Sequence, residues 1–153
     1  MRIGITAGKW DPVHRHHIQH FQKARALCDK LVCITHPDDV VALARKKEGK
    51  VPACWLGLED RVEVLKAIRW IDEVVVSIDA DGGCDETLVQ IAIQHPHDKL
   101  LFIRGGDRVP STMPSAEVEV CRELGIEIVY GVGDKGEGSS KVVERVVASL
   151  LTD

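Results

Sequence analysis

Four histidines crowd one short stretch of this chain: His14, His16, His17 and His20, all following the run Gly8-Lys9-Trp10-Asp11-Pro12-Val13. An apolar strand pattern (Ile3, Gly4, Ile5, Thr6, Ala7) precedes the run, and an amphipathic pattern with Ile18, Phe21, Ala24 and Leu27 follows it. A strand, a tight Gly turn and a His-rich helix entry form a geometry suited to phosphate. Backbone N–H groups at a helix start have no intrahelical acceptor, and the helix dipole there favours an anion. His14 and His17, three residues apart across that start, can turn both rings toward one anion. A phosphorus passing through a five-coordinate state gathers charge on its oxygens, and fixed donors bind that state better than the ground state. His16 and His20 are four apart, which is metal-ligand spacing, but no carboxylate or cysteine ligand follows at helical spacing. No metal ligand set is therefore assigned.

Three further segments could carry chemistry. Arg45-Lys46-Lys47-Glu48-Gly49-Lys50 is a basic run after the second strand pattern, expected as a solvated loop unless it meets an anion. Arg104-Gly105-Gly106-Asp107 follows the fourth strand pattern, and consecutive glycines let backbone approach a ligand closely. Gly136-Glu137-Gly138-Ser139-Ser140-Lys141 leads into the last helix, where hydroxyls either cap the helix or join its N–H groups on phosphate.

The elements that must position these residues alternate strand and helix. Short apolar runs at Ile3–Ala7, Leu31–Thr35, Glu73–Ile78, Leu100–Arg104 and Ile126–Tyr130 predict parallel strands covered on both faces. Helices are expected over Asp60–Ile71, Glu86–Gln94, Ser115–Leu124 and Ser139–Leu151. In the last, Val142, Val146, Leu150 and Val143, Val147, Leu151 read as two rows of one buried face. Pro37–Pro52, Asp79–Asp85 and Gly131–Gly138 read as polar loops. The expectation is α/β: a Rossmann-like three-layer α/β/α sandwich with a five-stranded parallel sheet, one domain over residues 1–153. Ligands of such sheets sit at the carboxyl ends of the strands, where all the unusual residues fall.

Composition narrows the class. The chain has 153 residues, 44% of them hydrophobic and 29% charged, as in an ordinary globular protein. A net charge of −4 argues against a duplex-binding protein and fits local basic clusters around a small anion. No apolar run approaches a membrane span, and the N-terminus has no signal-peptide layout. Five cysteines without a C-x-x-C pair read as reduced core thiols, and a cytoplasmic protein is expected.

The first segment resembles the G-x-F-D-x-x-H-x-G-H signature of the cytidylyltransferase-like nucleotidyltransferases. Gly8, Asp11, His14 and His17 match, and Trp10 takes the aromatic place; His16 stands where the signature has Gly. Lys9 replaces a small hydroxyl residue. Gly105, Gly106 and Asp107 resemble the K-G-G-D element of the heptose-phosphate adenylyltransferases. Ser139 and Ser140 match the two Thr of the family's S-T-T-x-I element, with Gly138 in place of its first Ser and Lys135 as the available basic residue upstream. Arg61 resembles the Arg of an E-x-R element, and Lys46 or Lys47 matches a phosphate-binding Lys of the loop after the second strand.

The resemblance implies transfer of a nucleotidyl group from CTP or ATP to a small phosphate monoester, a sugar or polyol phosphate, with release of pyrophosphate. It assigns His14, His17, Lys46 and Arg61 to catalysis. It assigns Gly8, Lys9, Trp10, Asp11, Gly105, Gly106, Asp107, Ser139 and Ser140 to nucleotide binding, with Mg²⁺ accompanying the triphosphate. Asp11 would orient the acceptor or a metal-bound water. The expected partners are a nucleoside triphosphate and a small phosphorylated substrate, without nucleic acid or membrane, and a homodimer is left open. The alternatives are a nicotinamide- or flavin-mononucleotide adenylyltransferase, or a degenerate nucleotide-binding module, the latter motivated by His16.

Overall fold

A computed structural model describes residues 1–134 and 136–152. In chain order the elements are β1 (Arg2–Ala7), α1 (Arg15–Arg25), β2 (Lys30–Thr35), α2 (Asp38–Lys47), α3 (Leu58–Lys66), β3 (Glu73–Val76), α4 (Asp85–Gln94), β4 (Lys99–Gly105), a 3₁₀ turn (Pro110–Thr112), α5 (Ser115–Leu124), β5 (Glu127–Val132) and α6 (Ser139–Leu151). The five strands form one parallel sheet in the order β3-β2-β1-β4-β5. This is the expected Rossmann-like α/β architecture.

Strand periodicity divides the core in two. Ile3, Ile5, Val32, Ile34, Leu100 and Phe102 face Leu88 and Ile91 of α4 and Cys121 of α5. Their alternates Leu31, Cys33, Leu101 and Ile103 face Phe21 and Ala24 of α1 and Leu65 of α3. Successive side chains point to opposite faces, so one apolar run supplies both layers. Each fully buried Leu, Ile or Phe contributes roughly 1.5–3 kcal/mol of transfer free energy, which makes the sheet a rigid platform.

The chain runs outward from β1 through β2 to β3, then returns to lay β4 on the other side of β1. The connecting loops part at the carboxyl ends of β1 and β4, opening a crevice there.

Three expectations need correction. The segment 37–52, read as a loop, contains α2: Asp38 and Asp39 occupy its first turn, Val40 and Val41 are buried, and Arg45, Lys46 and Lys47 lie in its last turn. Acidic residues at the start and basic ones at the end complement the helix dipole, so the charge run is a helix terminus. Helix α3 is shorter than the apolar pattern, ending at Lys66 and followed by turns through Ile68 and Ile71. Helix α6 has the expected span but no buried residue, and Leu150 and Leu151 are both 79% exposed. Its periodicity reports an apolar face without specifying a surface to cover it. Among the described residues no helix is long and apolar enough to cross a membrane, and all five cysteines are free thiols.

Candidate functional site

A cavity of about 440 Å³ opens at the crevice. Its walls come from the loop after β1, the first turns of α1, the end of α2, the turn after β4, and the segment from β5 into α6. The histidines, the glycine pair and the serine pair singled out from sequence all line it.

The loop after β1 is held by Trp10, which has φ 52 and is buried. Its indole Nε1 donates to the Ile34 carbonyl at 2.9 Å. Gly8 lies against this ring: a Cβ there would sit 2.9 Å from indole carbons, so only Gly permits the approach. Trp10 contacts Phe21 and meets the His17 ring edge-on at 5.0 Å between centroids. Trp10 thus forms the floor on which His17 stands.

His14 is the N-cap of α1, and its Nδ1 accepts from the His16 backbone N–H at 3.3 Å. His17 reciprocates, its Nδ1 accepting from the His14 backbone N–H at 3.3 Å. The pair forms a capping box built of imidazoles, with rings stacked 3.8 Å apart. Burial lowers the pKa of both. That of His17 falls to about 3, with the neighbouring histidines adding to the effect of burial; that of His14 falls through burial and then His16. Both rings are therefore neutral near pH 7. Because Nδ1 accepts in each, the proton resides on Nε2, and each ring presents an Nε2–H donor. The Nε2 of His14 is buried without a partner among the described residues.

His20 plays another part. Its Nδ1 lies 2.7 Å from the Val132 carbonyl, which can only accept, and its Nε2 lies 2.7 Å from the Thr6 hydroxyl. The ring therefore donates through Nδ1 and accepts through Nε2, tying α1 to β1 and β5. The His20 ring is buried. With both nitrogens engaged it cannot serve as the second ligand of a His16–His20 metal pair. His16 lines the cavity and packs on Gly136, whose φ is +52. A Cβ at Gly136 would collide with the His16 ring, so this glycine houses the side chain that departs from the signature.

Gly138, Ser139 and Ser140 bring the N-terminus of α6 to the cavity. The Ser139 hydroxyl donates to the Pro12 carbonyl at 2.8 Å, docking that helix start against the His-bearing loop. Gly105, Gly106 and Asp107 line the wall between. Lys135 lies outside the described residues.

Other expected residues are placed differently. Asp11 borders the cavity, but both its oxygens are engaged: Oδ2 accepts from Arg45 at 2.6 Å and the Trp55 N–H at 2.7 Å, and Oδ1 from the Leu56 N–H at 2.6 Å. Its side chain is fully enclosed, which makes it a structural latch. Arg61 is 0% exposed and does not reach the cavity. Its Nε donates to the Leu56 carbonyl at 2.9 Å, Nη1 to the Thr35 hydroxyl at 2.8 Å and Nη2 to Asp38 at 2.7 Å. That guanidinium clamps α3 to β2 and holds the Asp38 carboxyl below its ordinary pKa. Lys46 points to solvent from α2 and is not part of the wall; Arg45 and Lys50 are. One helical turn decides which of these basic side chains faces inward. Lys9 reaches the cavity and pairs with Glu48 at 2.7 Å.

Sequence reasoning missed two buried polar residues beside this cavity, His36 and Glu117, and gave a third, Arg104, no role of its own within the Arg104-Gly105-Gly106-Asp107 segment. Arg104 and His36 each directly follow or end an apolar strand run, a position at the carboxyl edge that was the available signal. Glu117 sits on a helix face otherwise occupied by Cys121, and only packing shows it to be internal.

Comparison with known proteins agrees with this geometry. The cytidylyltransferase-like family model matches residues 5–131. The chain is 34% identical over 148 residues to an FAD synthase of Thermococcus onnurineus, covering 94% of this chain and 89% of that protein. It is 29% identical over 153 residues to the bifunctional protein HldE of Gluconacetobacter diazotrophicus. There it covers 100% of this chain but only 29% of the relative, so the chain spans under a third of that protein's length. The crystal structure of a lipopolysaccharide core biosynthesis protein from Thermoplasma volcanium superposes with a TM-score of 0.61 at 20% identity, covering 88% of this chain and 98% of that one, and so shares its fold. By its family match and by the histidine pair at its strand edge, the chain belongs to the cytidylyltransferase-like nucleotidyltransferases.

Proposed function

We propose that this protein transfers a nucleotidyl group from ATP or CTP to a small phosphate monoester. An acceptor phosphate oxygen attacks the α-phosphorus, the new P–O bond forms as the α–β bridging P–O bond breaks, and pyrophosphate leaves. The acceptor is already an anion and needs no strong base. The observation that carries the reading is the stacked His14–His17 pair with both Nε2–H groups available beside the α6 N-terminus. Neutral, preorganised N–H donors strengthen as charge develops on the phosphoryl oxygens, and a water-poor site makes each worth more. The N-terminal N–H groups of α6 take the β- and γ-phosphates, with Lys9 and Lys50 supplying positive charge.

Mg²⁺ fits this donor set as a companion of the triphosphate: such ions take one or two carboxylates and keep several waters. Asp107, on the wall beside Gly106, is the carboxylate suited to hold it, and the ion would neutralise charge on the phosphates. Five free thiols and a triphosphate donor support a cytoplasmic setting.

ATP is favoured as donor because a relative aligned over 89% of its length is named an FAD synthase, whose product contains an adenylyl group. The same likeness sustains a second reading, adenylylation of a mononucleotide such as FMN. Pyrophosphate release from ATP and CTP, measured against a panel of sugar phosphates, polyol phosphates, FMN and nicotinamide mononucleotide, tests both. Absence of nucleotide binding by calorimetry would defeat the proposal outright.

A further inference from the structure

A second cavity of about 170 Å³ adjoins the first, sharing Lys9, Arg104 and Arg108 along the common edge. Its inner wall holds three side chains that are nearly inaccessible: Arg104 is 8% exposed, His36 6% and Glu117 4%. Each carries a buried polar atom without a partner among the described residues, namely Arg104 Nε, His36 Nδ1 and Glu117 Oε2. Arg104 stacks over Phe102 at 4.8 Å, reaches the Ala7 carbonyl at 3.5 Å, and forms no ion pair among the described residues. Among the described residues Glu117 accepts only the Cys84 thiol, at 3.3 Å. A buried guanidinium and a buried carboxylate that face one cavity without touching are costly to fold, and an unmade charged hydrogen bond is more so.

On the reading that the first cavity takes the nucleotide, we infer that the second is the acceptor subsite and that Glu117 selects a phosphate monoester bearing hydroxyl groups. The three cations on the shared edge put the acceptor's phosphate next to the His14–His17 pair, where its oxygen must attack. The body of the acceptor then extends past Arg104 toward His36 and Glu117. The orphans comprise one donor, Arg104 Nε–H, one acceptor, Glu117 Oε2, and an imidazole that burial keeps neutral, its pKa lowered to about 4. A hydroxyl donates and accepts at once, so it complements all three. A plain alkyl chain would leave the carboxylate and the guanidinium unpaired. Sugar and polyol phosphates fit this wall.

The test uses the full chain with ATP or CTP, whichever binds. Glycerol 3-phosphate and triose, pentose, hexose and heptose phosphates are compared with propyl phosphate, which has no free hydroxyl. A hydroxylated acceptor should support pyrophosphate release, and propyl phosphate should not. The near-isosteric Glu117→Gln should raise the acceptor KM about tenfold to a hundredfold, the scale of one charged hydrogen bond. The nucleotide Kd should stay within about twofold, and His36→Gln provides a second variant should Glu117→Gln fail to fold. Use of propyl phosphate as readily as the hydroxylated acceptors overturns the inference, as does an unchanged acceptor KM in Glu117→Gln. Failure of every hydroxylated acceptor to bind the nucleotide-loaded protein also overturns it, while nucleotide binding leaves the function proposed above intact. Failure of any nucleotide to bind removes both.

Discussion

The Asp11 carboxylate and the Arg45 guanidinium form a buried ion pair at 2.6 Å, with both side chains almost fully enclosed. Arg45 also donates to the Asp11 carbonyl at 2.8 Å and to the Ala53 carbonyl at 2.5 Å. This couples three segments far apart in sequence: the loop after β1, the end of α2, and the stretch leading to α3. An aspartate that sequence reading assigned to the substrate instead holds the frame around it.

Removing one member of such a pair leaves the other buried and uncompensated. Arg45→Ala or Asp11→Ala should lower unfolding stability by about 3–5 kcal/mol. Urea denaturation measures it, and a loss under about 1 kcal/mol would show the pair to be solvated in solution.

His14→Ala and His17→Ala should each lower kcat by about 10²–10³ while weakening nucleotide binding far less. Since the donors are neutral N–H groups, turnover should not decline from pH 6.5 to 8 through loss of a histidine charge. Steady-state kinetics over that range decides both points. A fall in rate tracking deprotonation near pH 6.5 would replace neutral donors with imidazolium.

The buried histidines make stability depend on pH. Burial lowers the pKa of His17 to about 3 and that of His36 to about 4, from 6.5 in the unfolded chain. Between those values the unfolded chain binds more protons than the native one. The stabilisation is therefore fully present above pH 6.5 and is lost as pH falls toward 3–4, at up to about 1.4 kcal/mol per pH unit per histidine. The urea midpoint should drop from pH 7 to pH 5, and His17→Gln should flatten that drop. Equal midpoints for wild type at both pH values would contradict the burial of these rings.

Gly136 and His16 should behave as a coupled pair. Gly136→Ala meets the imidazole and a positive φ together, and should weaken nucleotide binding by disturbing the approach to α6. His16→Gly should retain nucleotide affinity and recover part of the loss in the double variant, with a coupling of about 0.5–3 kcal/mol. Strictly additive effects by calorimetry would separate the two sites.

His20 has both ring nitrogens engaged by Thr6 and Val132, which removes it as a transition-metal ligand. Purified protein should contain no stoichiometric zinc or nickel, and a chelator should leave Tm unchanged. Tightly held zinc in elemental analysis would reverse the assignment of these imidazoles.

The residue pattern alone determined the alternation of strands and helices, the parallel sheet, and the convergence of the His-rich loop, the glycine pair and the serine pair on one strand edge. It could do so because strand and helix periods are local, and because a parallel sheet places every loop after a strand at the same end. Tertiary structure decided what the local pattern cannot carry. It engaged Arg61 and Asp11 inward as clamps, because a charged group's partner is fixed by the fold and not by spacing. It turned Arg45 rather than Lys46 toward the cavity, because the basic run is a helix end, where one residue is a rotation of about 100°. It left the apolar face of α6 uncovered, and it buried His36, Arg104 and Glu117 around one cavity from segments distant in the chain. Burial is a property of what packs against a residue, and for these three that neighbour is supplied only when the sheet has closed.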